Sequence, residues 1–370
     1  MIASGGQAKV VFTGYGDMQA AAQGRFMIGG PPSVLNSFGI GPGDVEARGA
    51  KINSLGLFAT SDISDNARVL IDLTFKDIGA TTKTTVIQYG YLEYDDFGGE
   101  AQVGKITLPF NYYNQNRFYP FQRPSINPPL FQSAILGLPI SDIGATVNKT
   151  FDLGNAAAVR ADLYAVNGFK TSSSTTAFRN PALPGGLAIT NNVTGQDANH
   201  RIAFGGRVEI GPRALEKDSL GVSYYRDEWD PQGRGLFQMI GAHLHGTFAG
   251  FDFLTEYLQL DVTGDRGMLP NFGTRNWRTD GFFCELQYNR LSAFDKPVTP
   301  WFRAEDYRSY GGSGGRENLT DYAGGFSVLV HDGLMAKFEA TRLYYRLPYV
   351  DLGDLTLRGY ELLFDLTATF

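Results

Sequence analysis

The chain has 370 residues, a net charge of −6, 46 Gly, 19 Tyr, 27 Phe and one Cys, with a mean hydropathy slightly below zero. The acidic balance argues against a general nucleic-acid binder. A single cysteine, Cys284, excludes an internal disulfide scaffold, and there is no run of 18 or more apolar residues to make a membrane-spanning helix. Met1 to Val10 has neither a charged start nor an apolar core of signal-peptide length. For an exported chain the expectation is therefore a leader already removed; the alternative is a protein that stays in the cytoplasm.

Segments with a two-residue hydrophobic period recur along the chain, separated by turn residues. The first spans Gln7 to Ala20, followed by a Gly/Pro-rich stretch with Gly29-Gly30-Pro31-Pro32 and Gly41-Pro42-Gly43. The next four are Ala50–Ser61, Ala67–Asp77, Thr84–Asp95 and Glu100–Leu108. In the third strand Val69, Ile71, Leu73 and Phe75 share one face, while Arg68, Asp72, Thr74 and Lys76 lie on the other. After an irregular segment, Pro109–Gly137, come strands at Leu138–Thr150 and Ala157–Asn167. A stretch rich in Ser, Thr, Asn and Gly, Gly168–Asn199, leads into His200–Ile210, Ser219–Glu228, Leu236–Phe248 and Phe251–Val262. The last four are Thr279–Arg290, Pro300–Tyr310, Thr320–His331 and Leu334–Arg346, before a closing strand, Leu357–Phe370. That strand carries Tyr360, Leu362, Phe364, Leu366, Ala368 and Phe370 on one face, and Glu361, Leu363, Asp365, Thr367 and Thr369 on the other, mostly polar one.

A strand with carboxylates on one side and Leu and Phe on the other needs an apolar medium outside and water inside. A transmembrane β-barrel supplies both. Connections after even-numbered strands are short and those after odd-numbered strands more often long. That sorting predicts an all-β, 16-stranded antiparallel barrel spanning residues 1–370 as one domain, with short periplasmic turns and long extracellular loops. Sixteen strands is the size that encloses an aqueous lumen. Two strands fit less cleanly. Arg342 falls on the face of Phe338, Ala340 and Tyr344, which a bulge or a rim position would accommodate, and the second strand reads in either register. Aromatic doublets such as Tyr224-Tyr225, Tyr344-Tyr345 and Phe282-Phe283 suggest girdles at the membrane interfaces.

The third long-side connection, residues 109–137, is the expected constriction, folded back into the lumen. Its prolines forbid a regular ladder, and its many aromatics, Tyr112 among them, need something to pack against. Between Ile106 and Ser141 the only charges are Arg117 and Arg123, accompanied by Asn114 and Asn116. If both guanidinium groups face the pore, a mild anion preference follows. If they contact wall carboxylates such as Asp72, Glu256 or Glu305, their charge is spent. Other wall positions on polar faces are Arg68, Arg160, Arg207 and Arg303. His243 and His245 share one face of a strand, but no third metal ligand accompanies them. No nucleophile elbow or carboxylate pair suggests an enzyme, and no cofactor is implied.

Several stretches resemble Gram-negative outer-membrane porins, most of all the phosphate-selective porin O/P family. They are Arg48-Gly49-Ala50-Lys51, Tyr89-Gly90-Tyr91-Leu92-Glu93-Tyr94, Val103-Gly104-Lys105-Ile106-Thr107-Leu108-Pro109-Phe110, Thr255-Glu256-Tyr257, Arg303-Ala304-Glu305 and the terminal Phe370. The resemblance implies a passive channel for small hydrophilic solutes in a Gram-negative outer membrane. It also implies a homotrimer in contact with membrane lipid, and Phe370 as the signal read by the barrel-insertion machinery. The family's arginine ladder and lysine cluster have no residue-by-residue match here, so phosphate selectivity is not implied. A different class of function, adhesion or surface scaffolding, would place the binding element in Gly168–Asn199.

Overall fold

The computed structural model describes residues 10–29, 43–78, 84–96, 98–129, 140–168, 170–171, 189–190, 201–213, 218–228, 235–263, 276–310, 316–349 and 353–370. Sixteen strands close into one antiparallel barrel. They are β1 (Val10–Gly29), β2 (Gly43–Ser64), β3 (Ala67–Ile78), β4 (Thr84–Tyr94), β5 (Glu100–Thr107), β6 (Ser141–Leu153), β7 (Ala157–Val166) and β8 (Ala203–Pro212). The second half comprises β9 (Ser219–Asp227), β10 (Leu236–Phe248), β11 (Phe251–Thr263), β12 (Asn276–Tyr288), β13 (Lys296–Tyr310), β14 (Arg316–His331), β15 (Leu334–Tyr349) and β16 (Gly353–Thr369). Each strand pairs with its sequence neighbours, and β1 pairs with β16 to close the ring, Tyr15 opposite Thr369. Phe370 seals the seam: its N–H donates to the Gly14 carbonyl at 3.0 Å and its carbonyl accepts from the Gly14 N–H at 2.8 Å.

The loop-length sorting expected from the sequence holds. Two residues join β2 to β3, β10 to β11 and β14 to β15, whereas residues 108–140 separate β5 from β6. Ala249 and Gly250 both take positive φ, the conformation of a type I′ hairpin turn. A short extra strand, Leu291–Ala293, prolongs the β12–β13 hairpin. It was hidden in the sequence because its turn uses Phe294 and Asp295 at positive φ rather than Gly or Asn.

Side chains alternate as the period demands. On β16 Phe364 is 48% exposed on the outer face, while Asp365 beside it is 1% exposed on the inner. The second strand's register is settled from inside the barrel: Ser54, Gly56 and Phe58 face inward, and Ile52 and Leu55 face outward. Gly56 has a packing reason, since a Cβ there would lie 2.0 Å from the Tyr15 ring. Gly56→Ala should cost about 1–3 kcal/mol through this overlap; a urea unfolding midpoint unchanged from wild type would show that Tyr15 moves freely.

Arg342 does face outward, with no bulge at that position. It lies opposite Tyr322 and Tyr360, on the long-loop side of Ala340 and Phe338. It is the ninth of the sixteen residues of β15, short of the strand end. The aromatic doublets are split by strand parity rather than forming girdles as pairs. Tyr224 is 37% exposed outside and Tyr225 fully buried inside; Phe282 faces out and Phe283 in. Cys284 faces outward with Phe282 and Leu286, its Sγ 3.0 Å from Thr255 Oγ1.

Toward the long-loop rim the polarity inverts. On β11, Leu258, Leu260 and Val262 point inward and are buried, while Gln259 and Asp261 lie on the outer face. Here the outer surface is polar, and the apolar inside needs cover. That cover comes from the third long connection.

Candidate functional site

Residues 108–129 leave β5 and lie inside the barrel; the remainder of the predicted constriction, 130–137, is outside the described residues. The segment is docked by its own chemistry in three stages. At its root, Leu108, Phe110 and Ile140 join Tyr164, Tyr225, Phe237 and Met239, and Leu258, Leu260 and Val262 of β11, in one apolar cluster. Asn114 ties the neck. Its Nδ2 donates to the carbonyls of Leu108 (2.9 Å) and Ile140 (3.2 Å), and its Oδ1 accepts from the Ile140 N–H (2.8 Å). One turn of helix, α1 (Tyr113–Asn116), follows.

At midspan, wall carboxylates take the loop's donors. Glu256 accepts the Tyr113 N–H at 2.6 Å. Arg117 is 5% exposed and lies between Glu285, at 2.7 Å, and Asp252, with which it forms a second ion pair. Tyr112 stacks on His245, ring centroids 4.3 Å apart, and Tyr113 meets Phe283 edge-on. Burial pushes the Tyr113 phenol up to about 12, against the opposing pull of Arg123. Asn116, the most exposed of this group, bonds back to the Tyr112 carbonyl, at 3.1 Å.

At the tip, a short 3-10 turn (Pro120–Gln122) rests on the closing seam. Tyr119 and Phe121 stack at 5.3 Å, and Tyr119 meets Tyr15 at 5.7 Å and Phe58 at 5.3 Å. The Tyr119 hydroxyl donates to Asp72. Arg123, 6% exposed, donates to the carbonyls of Phe118 and Ile126. It fastens the loop to itself and has no ion pair among the described residues. Lys337 donates to the Pro120 and Ser125 carbonyls. Glu339 accepts the N–H groups of Ile126 (2.7 Å) and Asn127 (3.1 Å). Arg303 reaches the carbonyls of Asn127 (3.0 Å) and Pro128 (3.4 Å).

The sequence therefore located the loop and its two arginines, and the structure places Arg117 on wall carboxylates, although on Asp252 and Glu285 rather than Asp72, Glu256 or Glu305. Those three serve other partners: Asp72 takes Tyr119, Glu256 takes the Tyr113 N–H, and Glu305 takes Arg303 Nε at 2.8 Å. Arg207 pairs with Asp162 (3.1 Å) and Glu209 (3.5 Å) and reaches the Asn111 carbonyl (3.3 Å), while Arg160 also bonds Asp162 (3.1 Å). Arg68 pairs with Glu93 beside the Asp65-Asn66 turn, at the opposite rim from the loop root. The two wall histidines each face an acid: His243 lies 3.4 Å from Glu209 and His245 3.4 Å from Asp252. Among the described residues there is no group of three metal-ligating side chains.

Lys337, Glu339, Glu285 and Asp252 were missed. Their signal was present: each has inward parity on its strand, and Lys337 and Glu339 are the inward charges on β15 alongside Thr341 and Leu343. What the sequence does not carry is which inward charge lies level with the loop.

No protein-family model and no curated protein matches the chain. Solved structures do. The chain is similar to an anion-selective porin from Comamonas acidovorans (TM-score 0.60, 10% identity, covering 98% of this chain and 100% of that one). It is also similar to the outer-membrane channel DcaP of Acinetobacter baumannii (0.54, 14% identity, 98% and 97%) and to OmpF of Salmonella typhi (0.55, 9% identity, 98% and 98%). OmpT of Vibrio cholerae in its trimer form gives 0.55 at 8% identity, over 98% and 99%. At these identities the likeness is one of fold: a barrel of the outer-membrane porin type.

Proposed function

We propose that this chain forms a passive, water-filled channel across a Gram-negative outer membrane, admitting small hydrophilic solutes and narrowed by residues 108–129. The observation that carries this reading is the docked loop. It is held by side chains of β3, β11, β12, β13 and β15, a barrier fixed in place rather than a mobile flap. An adhesin or scaffold would have no reason to build such an internal partition. The alternative binding element, Gly168–Asn199, lies outside the described residues except for Gly168 and the paired pieces Lys170–Thr171 and Ile189–Thr190. We assign no catalytic role and no cofactor.

The mild anion preference read from the sequence needed two cationic side chains in the passage. Arg117 is taken up by two carboxylates, which leaves Arg123, buried against its own loop, as the remaining source in that segment. The motif likeness to the phosphate-selective porin O/P family supports the channel reading, and we carry no phosphate specificity over with it. Planar-bilayer recording of the purified protein is the decisive test: discrete conductance steps are expected, and a barrel that inserts without conducting would remove the channel reading.

We further propose a homotrimer, as the trimer form of OmpT of Vibrio cholerae suggests, to be checked by light scattering in detergent. Phe370 is proposed as the insertion signal. Deleting it should cut the amount of protein in the outer membrane severalfold while purified chain still refolds in detergent. An equal loss in both settings would mean that its role is only to close the seam with Gly14.

A further inference from the structure

We propose that the cavity beside the loop tip binds small organic cations bearing a primary ammonium or guanidinium group, making the channel selective for basic solutes. This rests on the channel reading above. A cavity of about 310 Å³ lies between β14–β16 and loop residues Asn127 and Pro128. Three carboxylates line it, Asp321, Glu339 and Glu361, against one guanidinium, Arg303.

The four groups are not equally available. Arg303 is 1% exposed and committed to Glu305 (2.8 Å), Glu285 (3.5 Å) and two loop carbonyls. Glu339 is committed to the backbone of Ile126 and Asn127 and to the Thr341 hydroxyl at 3.1 Å. Asp321 differs. It is 2% exposed, and its Oδ1 has no hydrogen-bond partner. It sits opposite Glu305 on β13 and Leu343 on β15, so no cation faces it across either pairing. Glu361, half-buried on β16 opposite Thr341, points into the same space.

A buried carboxylate oxygen without a donor carries an unrecovered desolvation cost, and a ligand N–H placed there recovers it. An anion entering would meet the carboxylates while the guanidinium is already engaged. A bare metal ion would need several converging oxygens, and the described residues hold no such group. Leu343 and Pro128 line the same space and suit an alkyl stem. The chemistry that fits is a flexible aliphatic body ending in an ammonium or guanidinium.

The test uses the full-length barrel folded in detergent, titrated calorimetrically with 1,5-diaminopentane, and with pentanoate as the anionic counterpart. Saturable binding of the diamine but not of pentanoate is expected. Asp321→Asn should weaken it about tenfold, the scale of one lost charge-assisted hydrogen bond. Glu361→Gln, at a half-buried position where folding is less at stake, should also weaken it severalfold; resistance of the folded band to SDS reports folding of both variants. No saturable diamine binding, or affinity unchanged in folded Glu361→Gln, would overturn the proposal. The bilayer result separates the two readings. A barrel that binds the diamine but carries no current loses the channel and keeps the site; one that conducts without binding loses only the site.

Discussion

Replacing Glu339 by alanine is expected to raise single-channel conductance more than any other single change in the lumen. The Glu339 carboxylate is fully buried and receives two consecutive backbone N–H groups, from Ile126 and Asn127. Without it those donors have no acceptor, and each buried unsatisfied group costs about 1–3 kcal/mol. The tip retains Lys337 and Arg303 on its carbonyls, but those bonds hold it from the other polarity only. The expected result is a loop tip that leaves the wall, giving larger and noisier current steps. Glu339→Gln keeps one acceptor oxygen and should fall between. Conductance identical to wild type in both variants would show that the aromatic seat at Tyr15 and Phe58, with Lys337 and Arg303, holds the tip without Glu339.

The second large effect is expected from Arg117→Ala. Removing one partner of a buried ion pair typically costs about 3–5 kcal/mol, because the other charge is left behind. Here it leaves two carboxylates, Glu285 and Asp252, with Arg303 at 3.5 Å and His245 at 3.4 Å as their remaining neighbours. Reversal potentials in a salt gradient should move toward cations, and the folded barrel should unfold at lower temperature. Arg123→Ala removes only donors to the loop's own carbonyls and should change conductance noise more than ion preference. If Arg123→Ala shifts the reversal potential further than Arg117→Ala, the passage runs past Arg123 and the anion preference expected from sequence has its source there.

The barrel was legible because it depends on one-dimensional facts. Alternation decides which side chain faces out, as at Phe364 and Asp365, and turn residues such as Ala249-Gly250 decide where a strand reverses. The constriction was legible as a segment, since the prolines and aromatics of 109–129 have no place in a sheet or in water. Its fastenings were not. Arg117 meets Glu285 across 168 positions of chain, and Ile126 meets Glu339 across 213. Those meetings depend on strand tilt and register around a closed ring, which periodicity leaves undetermined. The inward apolar run on β11 was readable but ambiguous, because Leu258, Leu260 and Val262 fit a lipid-facing assignment until the loop root is known to cover them.

The aromatic seat of the loop tip is built on the seam where the ring closes. Tyr15 and Phe58 come from the first two strands, while Lys337 and Glu339, which hold the same tip, come from β15 on the other side of the seam, so the tip's full set of contacts exists only once the two ends of the chain have met. Bringing such distant segments together is entropically slow. It follows that the order of assembly is built into the contacts: a sheet still open between β16 and β1 is also a sheet without a plug. During biogenesis the lumen is at its widest just before closure, and the last pairing in the wall is also what allows the partition to settle.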